Sequence, residues 1–195
     1  MAVLFGLVFA GQNLALGISM GLCMGAAFGL FAGKAAQEGK AEAAPDSPGN
    51  RFPVRPLKQD ETEGALRLAW KVFTEYEAPD YPPEGTEEFG KCLHDGAYLE
   101  GIVYYGAFDG EKLVGMLGIR EERNHICFFF VDGEYHRLGI GTGLFRRMLE
   151  DFPGRTITLN SSPYGLPFYM AIGFRATDSE QTVNGIRFTP MEYRI

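Results

Sequence analysis

The chain has 195 residues and a formal net charge of -7, and this length is typical of one domain. The charges are unevenly placed, because the first 33 residues contain none of the 18 Lys and Arg or 25 Asp and Glu residues. Nucleic acid requires a clustered cationic surface, so an acidic chain predicts no nucleic-acid partner. The three cysteines are scattered without a CxxC spacing, which favours a reducing compartment over a disulfide framework.

The uncharged N-terminal stretch predicts a membrane segment. As a helix, residues 14–33 are about 30 Å long, which matches the hydrocarbon core of a bilayer. Glycine recurs at every fourth position, a spacing that resembles a glycine zipper and predicts helix–helix packing into an oligomer. These glycines are Gly17, Gly21, Gly25, Gly29 and Gly33. The alternatives are a secretory signal peptide, a buried helix, a start site placed too far upstream, or a helical hairpin that includes residues 1–10.

Cations follow this stretch and none precede it, which places the rest of the chain in the cytoplasm. Without membrane insertion, the protein is expected to be cytoplasmic. Residues 34–50 are small and polar and contain Pro45 and Pro48, so we expect a flexible tether. The folded domain is predicted to begin at Arg51.

From residue 51 the hydrophobic pattern predicts a mixed α/β domain. The predicted strands span 51–57, 102–108, 112–119, 125–131, 155–160, 174–177 and 186–193. The predicted helices are one from Asp60 through Phe73 and those at 87–94, 139–151 and 163–172. Asp109-Gly110 predicts a hairpin turn, and Gly173 is placed to end the last helix.

The most informative segment is a glycine-rich turn that follows the strand at 125–131. Gly139, Gly141 and Gly143 alternate at the start of a helix, whose free N–H groups and dipole favour an anion. Arg137 adds positive charge and Thr142 adds a hydroxyl. No GKS or GKT follows, so a Walker A loop is excluded, and Leu144 replaces the last glycine of a Rossmann turn. The alternative is a tight turn that binds no ligand.

Two motifs resemble the GNAT superfamily of N-acetyltransferases. Residues 136–141, His-Arg-Leu-Gly-Ile-Gly, resemble its acetyl-CoA signature (Gln/Arg)-x-x-Gly-x-(Gly/Ala), with His136 at the first position. Residues 160–174 are similar to a later block of the family, a strand and a short helix that ends in Tyr-x-x-x-Gly-Phe. The resemblance covers about residues 50–195. It implies an α/β (α+β) fold of the acyl-CoA N-acyltransferase type, with flanking helices and a mostly antiparallel sheet of about six to seven strands.

The resemblance also implies where acetyl-CoA binds. Its pantetheine would pair with the backbone of Phe129, Phe130 and Val131, in a cleft where the central strands splay apart. Its pyrophosphate would be held mainly by backbone N–H groups of the turn, which comprises His136, Arg137, Leu138, Gly139, Ile140, Gly141, Thr142 and Gly143. No His, Cys or carboxylate spacing predicts a metal.

The family pattern assigns a catalytic role to Tyr169, whose phenol would protonate the departing thiolate. The alternative is a plain core tyrosine. Ser162 occupies the position where the family often has an asparagine, and with Pro163 it predicts a helix N-cap. Asn160 is expected either to contact pantetheine in its place or to end the strand.

The implied reaction is transfer of acetyl to the amine of a small molecule or peptide. Tyr104 and Tyr105 are candidates for the acceptor wall, and residues 77–89 are expected to help choose the acceptor. No general base is identified, although Glu121, Glu122, His125 and Glu134 lie near the central strands or the turn. Cys127 and Trp70 are expected to pack in the core. The alternative function is a non-catalytic acyl-CoA-binding or interaction module.

Overall fold

The computed structural model describes residues 51–195. The predicted membrane segment 14–33, its glycines and the tether 34–50 lie outside the described residues. The strands are β1 Val54–Pro56, β2 Ile102–Asp109, β3 Lys112–Arg120, β4 His125–Val131, β5 Ile157–Ser161, β6 Arg175–Ala176, β7 Gln181–Val183 and β8 Ile186–Tyr193. The helices are α1 Thr62–Tyr76, α2 Pro83–Cys92, α3 Gly96–Leu99, α4 Ile140–Asp151 and α5 Leu166–Ala171. None of these helices is long and apolar enough to cross a membrane.

One twisted sheet forms the middle of the domain, in the order β1-β2-β3-β4-β5-β8-β6, with β7 paired to β8. Within it β4 and β5 are parallel, and the other paired strands are antiparallel. The antiparallel pairs at 102–120 and 181–193 are hairpins closed by short turns, whereas the parallel pair needs the α4 crossover. The predicted mostly antiparallel α/β fold is confirmed.

Helices cover both faces of the sheet because its strands are apolar on both sides. Residues of α1, α2 and α3 pack with Phe128 and Phe130 in one buried cluster. Residues of α4 and α5 pack with Phe129 and Val131 in the other. From Phe128 to Val131 successive β4 side chains therefore pack in opposite cores, as the period of a strand requires.

Some element boundaries differ from the prediction. Helix α2 begins at Pro83 rather than at residue 87, since proline suits the first turn of a helix. The short elements α3 and β7 were not predicted, and β7 brings the number of strands to eight. Cys127 is buried as predicted, whereas Trp70 is 39% exposed although its ring stacks on Phe89.

Gly85 in α2 lies against the turn between β7 and β8, so this contact holds α2 on the sheet. A Cβ at Gly85 would lie 2.6 Å from the carbonyl oxygen of Gly185. We expect Gly85→Ala to lower the free energy of unfolding by about 1–3 kcal/mol, because backbone has to move. Gly64 of α1 has only an arginine side chain nearby, at 3.8 Å. Gly64→Ala should therefore raise stability by about 0.5–1 kcal/mol. Denaturant unfolding of both variants checks the prediction. Equal changes in the free energy of unfolding of the two variants would contradict it.

Candidate active site

The central opening of the domain lies where β4 and β5 separate. Pairing between them is limited to His125 with Thr158 and Ile126 with Leu159. The next residue, Cys127, is left out of the register between β3 and β4, which is a β-bulge. Bulges bend a strand and increase its twist. The remaining half of β4 therefore runs on without β5 beside it.

The free edge of β4 presents backbone groups to this opening. Asp132 N–H donates to Val114 O on β3, and hydrogen-bonding direction alternates along antiparallel strands. The N–H and C=O groups of Phe129 and Val131 consequently point away from β3, toward the side of β5. These are two of the three residues that were predicted to hold pantetheine, whereas Phe130 directs its backbone toward β3.

The turn after β4 is shaped to expose backbone N–H groups. Arg137 and Gly139 both have left-handed backbone conformations, with φ of 63° and 80°. Helix α4 follows at Ile140, and its first internal hydrogen bond runs from Gly143 N–H to Gly139 O at 2.9 Å. The N–H groups before Gly143 have no intrahelical acceptor. Such a concave set of donors fits a pyrophosphate, so the residues present suit acetyl-CoA.

His136 fastens this turn to the end of β4. Its Nε2 lies 2.8 Å from Val131 O, and because a carbonyl can only accept, Nε2 carries the proton. The ring also packs against Tyr76 at the end of α1, with centroids 5.1 Å apart. Tyr76 stacks in turn on Tyr164 at 5.6 Å. Three rings thus connect α1, the β4 end and the segment after β5.

Asp132 anchors the base of the turn. Its carboxylate accepts from Lys71 Nζ at 3.0 Å and from Glu134 N–H at 3.3 Å. Burial opposes its ionisation most strongly, yet these hydrogen bonds and the charges of Lys71 and Lys112 together hold the pKa of Asp132 below its ordinary value. The neighbouring Gly133 leaves room for Tyr76, whose hydroxyl oxygen occupies the space that a Cβ would need.

Tyr169 lies on α5, on the face of the sheet opposite α1. The side chain is fully buried, and its ring packs edge-on against Phe129 at 6.0 Å and Phe174 at 5.5 Å. It therefore contacts the strand whose backbone faces the opening. Its assignment as a catalytic acid remains a prediction.

Ser162 and Asn160 lie at the end of β5, and both are buried. Asn160 is still within the strand, in register with Pro190 of β8. The predicted N-cap at Ser162 is wrong, because a turn at 163–165 intervenes and α5 begins at Leu166. Ser162 Oγ instead accepts from Gly165 N–H at 3.1 Å and stabilises that turn.

The structure does not bring Tyr104 and Tyr105 together as one wall. Adjacent residues of a strand point to opposite faces. Tyr105 packs beside α4 and donates to Asp151 at 2.7 Å, whereas Tyr104 stacks on Phe128 beneath α1. Neither hydroxyl position was readable from the sequence.

The four candidate bases lie outside the unpaired part of β4. Glu121, Glu122 and His125 lie at or before the start of β4, where His125 is still paired with Thr158 of β5. The side chain of Glu134 is 78% exposed and pairs with Lys112. None of the four lies on the unpaired part of β4, from Cys127 to Val131.

Glu77 is a buried carboxyl group whose burial the sequence analysis did not predict. It is the C-cap of α1, is only 2% exposed, and its Oε2 has no hydrogen-bond partner among the described residues. Burial raises the pKa of Glu77 well above 4.5, while a hydrogen bond from Ser162 partly opposes the rise. Glu77 is therefore a buried carboxyl group at the C-terminal end of α1.

This burial predicts an unusual pH dependence of stability. The unfolded Glu77 ionises near pH 4.5 but the folded one does not, so stability falls as pH rises from 4.5 through the folded pKa. We expect Glu77→Gln to match the parent at pH 4 and to raise the Tm at pH 8 by about 3 °C, for about 1 kcal/mol. Thermal unfolding across this pH range is the measurement. Glu63→Gln, at an exposed position on α1, should show no such divergence, and a Glu77→Gln curve parallel to the parent would contradict the account.

Within residues 51–195 no group of three or more His, Cys, Asp and Glu side chains could hold a metal ion.

A search of curated protein sequences finds no match. Among solved structures, the chain resembles a GCN5-related N-acetyltransferase from Rhodopseudomonas palustris, with TM-score 0.63, 19% identity and coverage of 74% of this chain and 96% of that one. It also resembles the PaiA N-acetyltransferase from Thermoplasma acidophilum in complex with coenzyme A, with TM-score 0.58, 18% identity and coverage of 74% and 99%.

These structural similarities show only the fold. The family is shown by the match of the sequence to a family model. Residues 77–195 match the model of the acetyltransferase (GNAT) domain. This range contains the glycine-rich turn, both strands that line the opening and the helix that carries Tyr169. The chain therefore belongs to the GNAT acetyltransferase family and is an acetyl-CoA-dependent N-acyltransferase.

Proposed function

We propose that the protein transfers acetyl from acetyl-CoA to the amine of a small molecule or peptide by direct attack. The observation that carries this proposal is the loss of β4–β5 pairing after Ile126 and Leu159, beside a turn and helix start whose N–H groups lack intrahelical acceptors. Acetyl-CoA supplies an acetyl thioester when it is bound. The residues of this chain hold that thioester in the opening and donate or accept protons around it.

We assign each role to a group of the described domain. The backbone of Phe129 and the N–H of Val131 offer the pantetheine amides a strand edge that β5 leaves unpaired, whereas Val131 O already accepts from His136. The N–H groups of this edge are suited to stabilise the developing oxyanion. Backbone N–H groups of residues 137–143 hold the pyrophosphate. The Tyr169 phenol donates a proton to the departing sulfur.

The test uses the full-length protein, acetyl-CoA and a panel of alkylamines, arylalkylamines, polyamines and lysine-containing peptides. We expect saturable acetyl-CoA binding by calorimetry and at least one amine that raises thiol release 10-fold or more over hydrolysis, with an acetylated product of matching mass. Binding without amine-dependent release would favour a non-catalytic acyl-CoA-binding module. No binding would contradict both functions.

We also propose that residues 14–33 anchor the enzyme in a membrane, with the catalytic domain in the cytoplasm. The support is the uncharged length of this segment and the cations that follow it. Full-length protein should sediment with membranes after a carbonate wash, and deletion of residues 1–33 should release it. Isoleucine in place of Gly21 and Gly25 should weaken cross-linking between copies while leaving membrane attachment intact. Release of the full-length chain by carbonate would contradict the anchor.

A further inference from the structure

Asp132 joins β4 to the glycine-rich turn, and its backbone is hydrogen-bonded on both sides. Its N–H donates to Val114 O at 2.9 Å, and its C=O accepts from Tyr135 N–H at 2.8 Å. Its side chain caps the single helical turn Gly133–Tyr135, because Oδ1 accepts from Glu134 N–H at 3.3 Å. The position of Asp132 therefore sets the direction in which the chain leaves the sheet.

The carboxylate of Asp132 is buried and is neutralised by a lysine from another element. Its side chain is only 4% exposed. Lys71 of α1 donates to Oδ2 at 3.0 Å, and this hydrogen bond raises the pKa of Lys71, so the ammonium stays charged. Lys112 of β3 lies 3.9 Å from the same oxygen, beyond hydrogen-bonding distance, and also pairs with Glu134. A buried carboxylate is costly unless it is both paired and hydrogen-bonded, so Oδ2 depends mainly on Lys71.

The same helix contacts this part of the chain at a second place. Tyr76, further along α1, fills the space beside Gly133, and its ring packs on His136 with centroids 5.1 Å apart. Helix α1 therefore holds the chain at Asp132, Gly133 and His136. The N–H groups at the start of α4, which lack intrahelical acceptors, follow directly after these residues.

We propose that Lys71 is a positioning residue for acetyl-CoA, which holds the glycine-rich turn in its binding arrangement through the ion pair with Asp132. This inference rests on the proposed function, which places the pyrophosphate against that turn. Without Lys71, the carboxylate keeps one N–H donor and a cation at 3.9 Å, and it gains free energy by moving toward water. That movement turns the following N–H groups away from a common focus, so only a fraction of the molecules is ready to bind.

The test compares the acetyl-CoA affinity of full-length variants by calorimetric titration. Lys71→Met keeps most of the apolar stem and removes the charge, and we expect it to weaken binding about 10-fold. Lys71→Arg keeps the charge and a hydrogen-bond donor, so its affinity should stay within about twofold of the parent. Arg67→Met is the matched control, because Arg67 lies one turn earlier on α1 and pairs with the exposed Glu63. Its affinity should also stay within about twofold, since surface ion pairs contribute little.

A double-mutant cycle shows whether the ion pair is the cause. Asp132→Asn removes the buried charge, while its amide oxygen can still accept from Glu134 N–H. In the Asp132→Asn background, Lys71→Met should weaken binding by less than about twofold, because no buried charge remains to be neutralised. An equal loss of affinity from Lys71→Met in both backgrounds would overturn the proposal.

Amide hydrogen exchange of the free protein separates positioning from a general loss of stability. Lys71→Met should speed exchange about 10-fold in residues 132–143 and leave the β2–β3 hairpin at the parent rate. Faster exchange in both segments, or lower thermal stability with unchanged acetyl-CoA affinity, would show a merely structural role and overturn the proposal.

Gly139→Asp distinguishes failure of this inference from failure of the proposed function, because Gly139 lies in the turn itself, at the start of α4. If Gly139→Asp weakens acetyl-CoA binding and Lys71→Met does not, the ion pair has no positioning role and the proposed pyrophosphate site stands. If Gly139→Asp binds acetyl-CoA as tightly as the parent, the pyrophosphate lies elsewhere, and both proposals fall whatever Lys71→Met does.

Discussion

Replacing Gly139 by aspartate is expected to weaken acetyl-CoA binding at least about 100-fold. Gly139 has φ of 80°, at the N-terminus of α4. Aspartate tolerates this conformation better than most residues, so the fold should persist. Its carboxylate would repel the pyrophosphate and compete for the N–H groups, and charged hydrogen bonds of this kind contribute about 1.5–3 kcal/mol each. Calorimetric titration of the full-length variant with acetyl-CoA is the measurement.

The matched control for this substitution is Gly154→Asp. Gly154 has a similar φ of 70°, nothing within 4 Å of a Cβ, and a position beyond the other end of α4. Gly154→Asp imposes comparable backbone strain and adds the same charge, but it does not contact the glycine-rich turn. We expect its affinity to remain within twofold of the parent. Equal losses in the two variants would show that strain, rather than the anion site, sets the affinity.

Replacing Tyr169 by phenylalanine is expected to lower kcat about 100-fold while leaving the affinity for acetyl-CoA within twofold. The ring is fully buried between Phe129 and Phe174, so phenylalanine preserves the packing and removes the proton donor. The comparison uses steady-state kinetics with the panel's best amine and binding of acetyl-CoA by calorimetry.

Tyr193→Phe supplies the control, because Tyr193 also packs on Phe174, at 5.5 Å, in the same cluster. Loss of its hydroxyl should leave kcat unchanged. If both variants keep parent activity, Tyr169 is a core residue and the sulfur is protonated by another group. If both lose activity with their thermal stability, packing rather than proton transfer is responsible.

The parts of the fold that the sequence predicted depend on local patterns. Strands β2 and β3 are joined across Asp109-Gly110, and the glycine turn that opens α4 lies at its predicted position. The elements that were missed, α3 and β7, contain only four and three residues. Segments of this length are too short to show a hydrophobic period.

In the candidate site, too, the part formed by one local segment was predictable and the part formed by packing was not. The backbone part of the site, from Phe129 to Gly143, was predictable because it is one continuous segment. Glu77 lies outside that segment, at the end of α1, and only the packing of the folded domain buries it. A signal for Glu77 did exist, since it continues the four-residue spacing of Ala65, Ala69 and Phe73. A carboxyl group in an apolar stripe identifies a buried polar position, although it does not identify the partner.

The most direct measurement of the central claim is a crystal structure of the protein with coenzyme A. We predict that the pantetheine lies between β4 and β5, hydrogen-bonded to the backbone of Phe129 and Val131, with its pyrophosphate against the N–H groups of residues 137–143. Coenzyme A bound at another surface, or a β5 that stays clear of the pantetheine, would contradict the account.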